Sequence, residues 1–267
     1  MKLIKLGIVF CLITIFAPLG AGNQEDWLAT KSRHFIVYYQ EGVDDDFLDE
    51  TIYYAEKYYN DITYDLGFRR YDYWLWEKRG KIYLYKDQAS YVKATNMPPW
   101  SGGRAIYQPK IIETFPWAKG FFTHLLPHEL GHIIFREFIG TQAQVPLWFE
   151  EGVASSQEAL VQRKRRQAIL IEALDDSSLI SLEQLSAIDV RTQEDQNLVN
   201  LFYAQGESVV RFLIERYGSY GFLSLCRGIR DKKDFMSALH LAFPRYNNFK
   251  ELNDDWVYYL KTTFSVR

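Results

Sequence analysis

The sequence predicts an α+β chain, with a small mixed β-sheet in a front lobe and a helical lobe behind it. Two patterns and one number lead there. Apolar residues recur at period two only before about residue 115, where they interleave with stretches of helical spacing. From Thr123 onward the strand signal is gone and helical patterns follow one another. The chain has 267 residues, 48% of them hydrophobic, which is enough for one large or two small domains with a real core.

The first segment reads as an address. Met1-Lys2 and Lys5 precede an apolar run from Leu6 to Leu19, and Gly20-Ala21-Gly22 follow, the order of a cleavable secretory signal. The run is shorter than the roughly 20 residues that span a bilayer, and no later stretch could span one. A secreted or periplasmic protein is expected, with an uncleaved anchor as the alternative. The expected divisions are a signal at 1–22, an α+β lobe at 23–122 and a helical lobe at 123–267. Losing Lys2 and Lys5 takes the formal charge from -3 to -5, which gives no general attraction to nucleic acid. Only Cys226 survives cleavage, so no intramolecular disulfide holds the mature fold.

In the front lobe, Phe35, Val37 and Tyr39 alternate as a strand, and Asp44-Asp45-Asp46 supply the acidic start of a helix that runs to Leu66 and stops at Gly67. A strand at 81–85 and a short helix at 88–95 follow, the helix ending at Met97-Pro98-Pro99. Ser101-Gly102-Gly103 leads into a hairpin with arms at 104–107 and 111–115. Tyr53, Tyr54, Tyr58 and Tyr59 recur at helical spacing and are expected to pack on the core. In the rear lobe, helices are expected at 123–139, 147–162, 164–174, 198–217, 220–229 and 249–262. Arg163-Lys164-Arg165-Arg166 reads as a solvated helix face, and four charges without aromatic neighbours do not make a nucleic-acid site. Trp100 and Trp117 flank the hairpin and can line a groove or pack a hinge.

The chemistry is concentrated in His128-Glu129-Leu130-Gly131-His132. Histidines at i and i+4 share one helix face, so both imidazoles can reach one ion, and Glu129 beside them can move a proton for a metal-activated water. A hydrolytic zinc site needs a third protein ligand and an open position. The helix continues about 10 Å past His132 to Gly140, and the chain turns through 141–145. Pro146 then opens a second helix, which returns about 7 Å to the level of His132 at Glu150 and Glu151. These two carboxylates are rotated by about 100° from each other, so only one should ligate. His124, one turn before His128, can orient a ligand or meet substrate, but reads first as an ordinary residue of the helix start.

The spacing His128-Glu129-x-x-His132, then eighteen residues, then Glu151, with Trp148-Phe149-Glu150-Glu151-Gly152-Val153-Ala154, resembles the gluzincin metallopeptidases. The likeness is greatest to the aminopeptidase-N-like branch and to bacterial peptidase-MA-like proteins. It implies a zincin, thermolysin-like catalytic fold with Zn2+ held by His128, His132 and Glu151, the glutamate directly before the glycine. Tyr203-Ala204-Gln205-Gly206 resembles the helix start where that branch places a tyrosine three residues before a glycine, which implies Tyr203 as an oxyanion donor. The family's substrate-binding edge strand corresponds to Gly102-Gly103-Arg104-Ala105-Ile106-Tyr107, which implies that Gly103, Arg104 and Ala105 meet a peptide or protein substrate. Two departures stand out. That stretch lacks the glutamate that grips a free amine, so an endopeptidase is expected rather than an aminopeptidase, and Arg104 can attract a carboxylate instead. Thermolysin-type relatives orient a zinc histidine with an aspartate four residues after the third ligand, where this chain has Ser155. A non-catalytic zinc-binding protein that holds a partner in its cleft is the rival expectation, against which the retained Glu129 argues.

Overall fold

The computed structural model describes residues 27–68, 74–99, 101–116, 120–231 and 233–264. The expected signal at 1–22, Trp100 and Trp117 lie outside the described residues. The fold is α+β, with one five-stranded mixed sheet. Its strands are β1 (Leu28–Lys31), β2 (Phe35–Tyr39), β3 (Gly80–Leu84), β4 (Gly103–Ile106) and β5 (Ile111–Thr114), in the order β1-β2-β3-β5-β4. The pairs β2/β3 and β3/β5 are parallel, whereas β1/β2 and β4/β5 are antiparallel. Phe35 and Val37 on β2, with Ile82 and Leu84 on β3, point one face of the sheet into the core.

Helix α1 (Asp45–Asp65) crosses from β2 to β3. The Asp44 side chain caps its first turn by accepting from the Phe47 amide at 3.0 Å. Leu48, Thr51, Ala55, Tyr59 and Ile62 form its buried stripe. Of the four expected tyrosines, Tyr59 is buried and Tyr54 and Tyr58 pack partly on the core, but Tyr53 is 62% exposed, because the stripe is too narrow to include it. After α2 (Gln88–Thr95) and the β4–β5 hairpin, a π-type turn at Phe121–Leu125 leads into α3 (Leu126–Ile139), buried nearly throughout.

Helix α4 (Leu147–Ser156) ends six residues earlier than expected, and α5 (Leu160–Asp175) takes up the remainder. The break is at 157–159, where the Ala159 amide leaves the helix to donate to the Thr123 carbonyl at 2.9 Å. Helix α7 (Gln196–Arg230) joins the two segments expected at 198–217 and 220–229, with a kink at Gly218, whose φ of 72° lies outside the helical region. The short α6 (Leu182–Ala187) and α8 (Phe235–Ala242) and the edge strand β1 were not expected; α9 (Phe249–Phe264) was. One continuous apolar core runs from β2 and α1 through α3 and α4 to α7 and α9.

Candidate metal centre

Two helices that touch backbone to backbone assemble the centre. His128 and His132 occupy successive turns of α3, and both rings are buried. Gly140, at φ 93°, ends α3, and Pro146 precedes α4, whose fifth residue is Glu151. A Cβ added at Gly131 would come within 2.9 Å of the Ala154 Cα, so glycine is what lets α3 and α4 approach. His128 Nε2 and His132 Nε2 face each other at 3.1 Å, and Glu151 Oε2 lies 3.5 Å from each. Glu129, next to His128 on the same helix, is fully buried.

This triangle fits a small divalent cation. Glu151 Oε2 is buried without a hydrogen-bond partner, a cost that a coordinated ion would remove. Tetrahedral zinc, with bonds of about 2.0–2.2 Å, sets neighbouring ligand atoms about 3.3–3.5 Å apart, close to the spacings found here. Two imidazoles and one carboxylate are also a donor set that zinc accepts. Electrostatics bind the three residues together. Burial opposes the charge on Glu151, but the positive charge of His132, and of His128 beside it, outweighs it and holds the carboxyl well below its usual range. Burial likewise opposes the charge on His132, yet Glu151 and Glu150 push it up to about 10.

Each imidazole has a carboxylate on its outer side, and each carboxylate has an arginine. His128 Nδ1 meets Glu158 Oε1 at 2.9 Å, and Glu158 Oε2 meets His124 Nδ1 at 2.7 Å and Arg166 at 2.5 Å. Glu158 thus orients the ring that Ser155, at the position of the thermolysin-type aspartate, does not. His124 is part of this arrangement rather than an ordinary residue of the helix start. Arg166 turns inward from the basic run expected to be solvated. On the other side, Glu150 is held by Arg136 through both oxygens and accepts from the Tyr107 hydroxyl at 3.3 Å. Its Oε1 stands 3.8 Å from His132 Nδ1, beyond hydrogen-bond range. Glu150 faces Arg136 while Glu151 faces the histidines, as their angular offset requires. Sequence reasoning missed Glu158, Arg166, Arg136 and Tyr107. An acid seven residues after Glu151, with a basic run just beyond it, was the one available signal.

Helix α7 meets α4 as closely as backbones allow. A Cβ on Gly152 would fall 2.3 Å from the Gly206 carbonyl oxygen, and one on Gly206 would fall 2.5 Å from the Trp148 carbonyl oxygen. This contact brings Tyr203, one turn before Gly206, to a ring-centroid distance of 6.5 Å from His128. Gly103, Arg104 and Ala105 lie on β4, which among the described residues has a strand neighbour on one side only. A Cβ on Gly103 would be 3.0 Å from the Leu125 side chain, just before α3. Arg104 is engaged by Glu113, its cross-strand partner, at 2.5 Å, so its charge is already answered within the sheet.

The sequence pattern of the peptidase MA superfamily matches residues 76–262, which include every residue of this centre. The chain belongs to the peptidase MA superfamily. The resemblance to gluzincin-like peptidases is thereby borne out, and membership gives a metallopeptidase-like hydrolase function. A search of curated proteins returns no match. As in this superfamily generally, metal dependence is the rule, and His128, His132 and Glu151 are the group among the described residues that could hold an ion.

Proposed function

We propose that this peptidase MA protein is an exported zinc metallopeptidase of the gluzincin type, thermolysin-like in its catalytic architecture, that cuts within peptide chains. The observation that carries the reading is the buried triangle of His128, His132 and Glu151 with Glu129 on the same helix. Zinc held there would polarise a scissile carbonyl and acidify a bound water. Glu129 would take the proton from the attacking water and deliver it to the leaving amine. The Tyr203 hydroxyl would donate to the oxyanion, a bond that becomes strong only as charge develops. The open edge of β4, at Gly103, Arg104 and Ala105, would pair with an extended peptide through its backbone. Internal cutting is favoured because β4 carries no acid to grip a free amine, and Arg104 is already paired with Glu113. Export rests on the leading apolar segment; among the described residues no helix is long and apolar enough to cross a membrane. A division into a lobe at 23–122 that offers the edge strand and a lobe at 123–267 that offers the zinc site completes the proposal.

The test is hydrolysis of a mixed, end-blocked peptide library by the purified protein beside Glu129→Gln. The variant is expected to keep its zinc and to lose about 10²- to 10⁴-fold in kcat. Equal cleavage by both proteins would contradict the role of Glu129. Cuts confined to unblocked amino ends would contradict internal cleavage.

A further inference from the structure

Arg166 is the member of the basic run whose surroundings are least like a solvated face. Its side chain is 12% exposed, and its guanidinium meets three structural units at once. One nitrogen donates to Glu158 Oε2 at 2.5 Å, in the turn after α4. The other donates to the Ser155 carbonyl at 3.3 Å, in the last turn of α4, and lies 3.9 Å from Glu207 on α7. Glu158 in turn presents its second oxygen to His128 Nδ1. A fork that spans a carboxylate and a carbonyl is a geometry that guanidinium provides and an ammonium does not. Nearby Arg165, by contrast, is exposed and donates to Gln162 on its own helix at 3.3 Å.

We propose that Arg166 is a positioning residue of the metal centre: it locks Glu158 between α4, α5 and α7, and through Glu158 it fixes the ring angle and basicity of His128. The inference rests on the proposed zinc site and adds a helix outside the motif that defines that site. It makes α5 part of the metal centre through Glu158. Partners that orient a ligand typically change metal affinity by about 10- to 100-fold when removed.

The experiment measures zinc affinity by chelator competition and the visible absorption of the cobalt-substituted protein, for wild type, Arg166→Met, Arg166→Lys and Arg165→Met. Arg166→Met is expected to bind zinc about 10- to 100-fold more weakly and to shift the cobalt bands. Arg166→Lys should recover part of that loss, and Arg165→Met should match wild type. In a Glu158→Gln background, Arg166→Met should cost less than about twofold more, since the two act as one unit. Wild-type affinity and unchanged cobalt bands in Arg166→Met would overturn the proposal, as would full additivity with Glu158→Gln. If Arg166→Met does not fold, Arg166→Lys decides: a severalfold loss supports the inference and wild-type affinity overturns it. Wild-type protein that takes up no zinc would overturn the metal centre itself, and that result is read before any variant is compared.

Discussion

Tyr203 and Glu207 sit one turn apart on α7, yet one ring lies beside His128 and the other side chain among arginines. Tyr203 stands over His128 and is proposed to act only when charge develops on the substrate. Tyr203→Phe should therefore lower kcat by about 10²- to 10³-fold with KM little changed, as measured by steady-state kinetics on an internally quenched peptide. A rise in KM alone would assign the tyrosine to substrate binding. Glu207 is buried among Arg166, Arg163 and Arg211, which lie at 3.7–3.9 Å, and its Oε1 makes no hydrogen bond. Burial raises its carboxyl to about 7 in spite of the three arginines. The folded chain then holds this proton more tightly than the unfolded chain, whose value is 4.5, so stability falls as pH rises from about 4.5 to about 7. Glu207→Gln removes that loss. It should raise stability at pH 8 by on the order of 2 kcal/mol and leave pH 5 nearly unchanged, in urea titrations of the two proteins. An equal destabilisation at both pH values would contradict it.

Much of the triangle of His128, His132 and Glu151 was legible in the sequence because helical spacing fixes the direction of a side chain from its number alone. That is true of His128 and His132 within one helix; past the turn bounded by Gly140 and Pro146, spacing returns Glu150 and Glu151 together, and the family resemblance singles out Glu151. Glu158 and Arg166 were not legible, since their meeting depends on where α4 stops and how α5 returns across it, which local periodicity does not encode.

Elements were legible in proportion to their length and burial. Helix α1 declared itself through a stripe of five buried positions and an aspartate cap, whereas β1 is four residues at a sheet edge with three of them exposed. Helix α6 is six residues long, too short for a period to emerge. The expected single helix at 147–162 breaks because the Ala159 amide finds a tertiary partner, a contact invisible to the local sequence. What sets the elements against one another is small residues. Gly131 admits α4 to α3, and Gly152 and Gly206 admit α7 to α4. A methyl group on Gly152 would be driven into the Gly206 carbonyl, backbone against backbone, with no flexible side chain to yield. Gly152→Ala should cost about 3 kcal/mol in the metal-free protein, read by denaturant unfolding. A variant as stable as wild type would mean that α4 and α7 have freedom to separate.

At the scale of the whole molecule, one core joins the sheet to the helices, so the edge strand and the helix that carries His128 and His132 are held by the same packing. The proposed substrate edge on β4 and the proposed proton carrier on α3 are therefore set by one body of packing. The α+β class was legible from the change in periodicity near Thr123. The continuity of the core was not, because it is a property of contacts between distant segments. Among the described residues no disulfide contributes: Cys226 is buried and unpaired, and burial pushes its thiol well up. The stability of the chain therefore depends on apolar packing and on whatever the buried cluster of His128, His132 and Glu151 gains from an ion.

The claim on which everything else depends is that this cluster is a zinc site. Elemental analysis of the purified protein, after dialysis against a weak chelator, tests it directly beside Glu151→Gln. The account predicts one zinc per wild-type chain and little or none in the variant. Wild-type protein without stoichiometric zinc, or a variant that retains it in full, would contradict the assignment of the ligands.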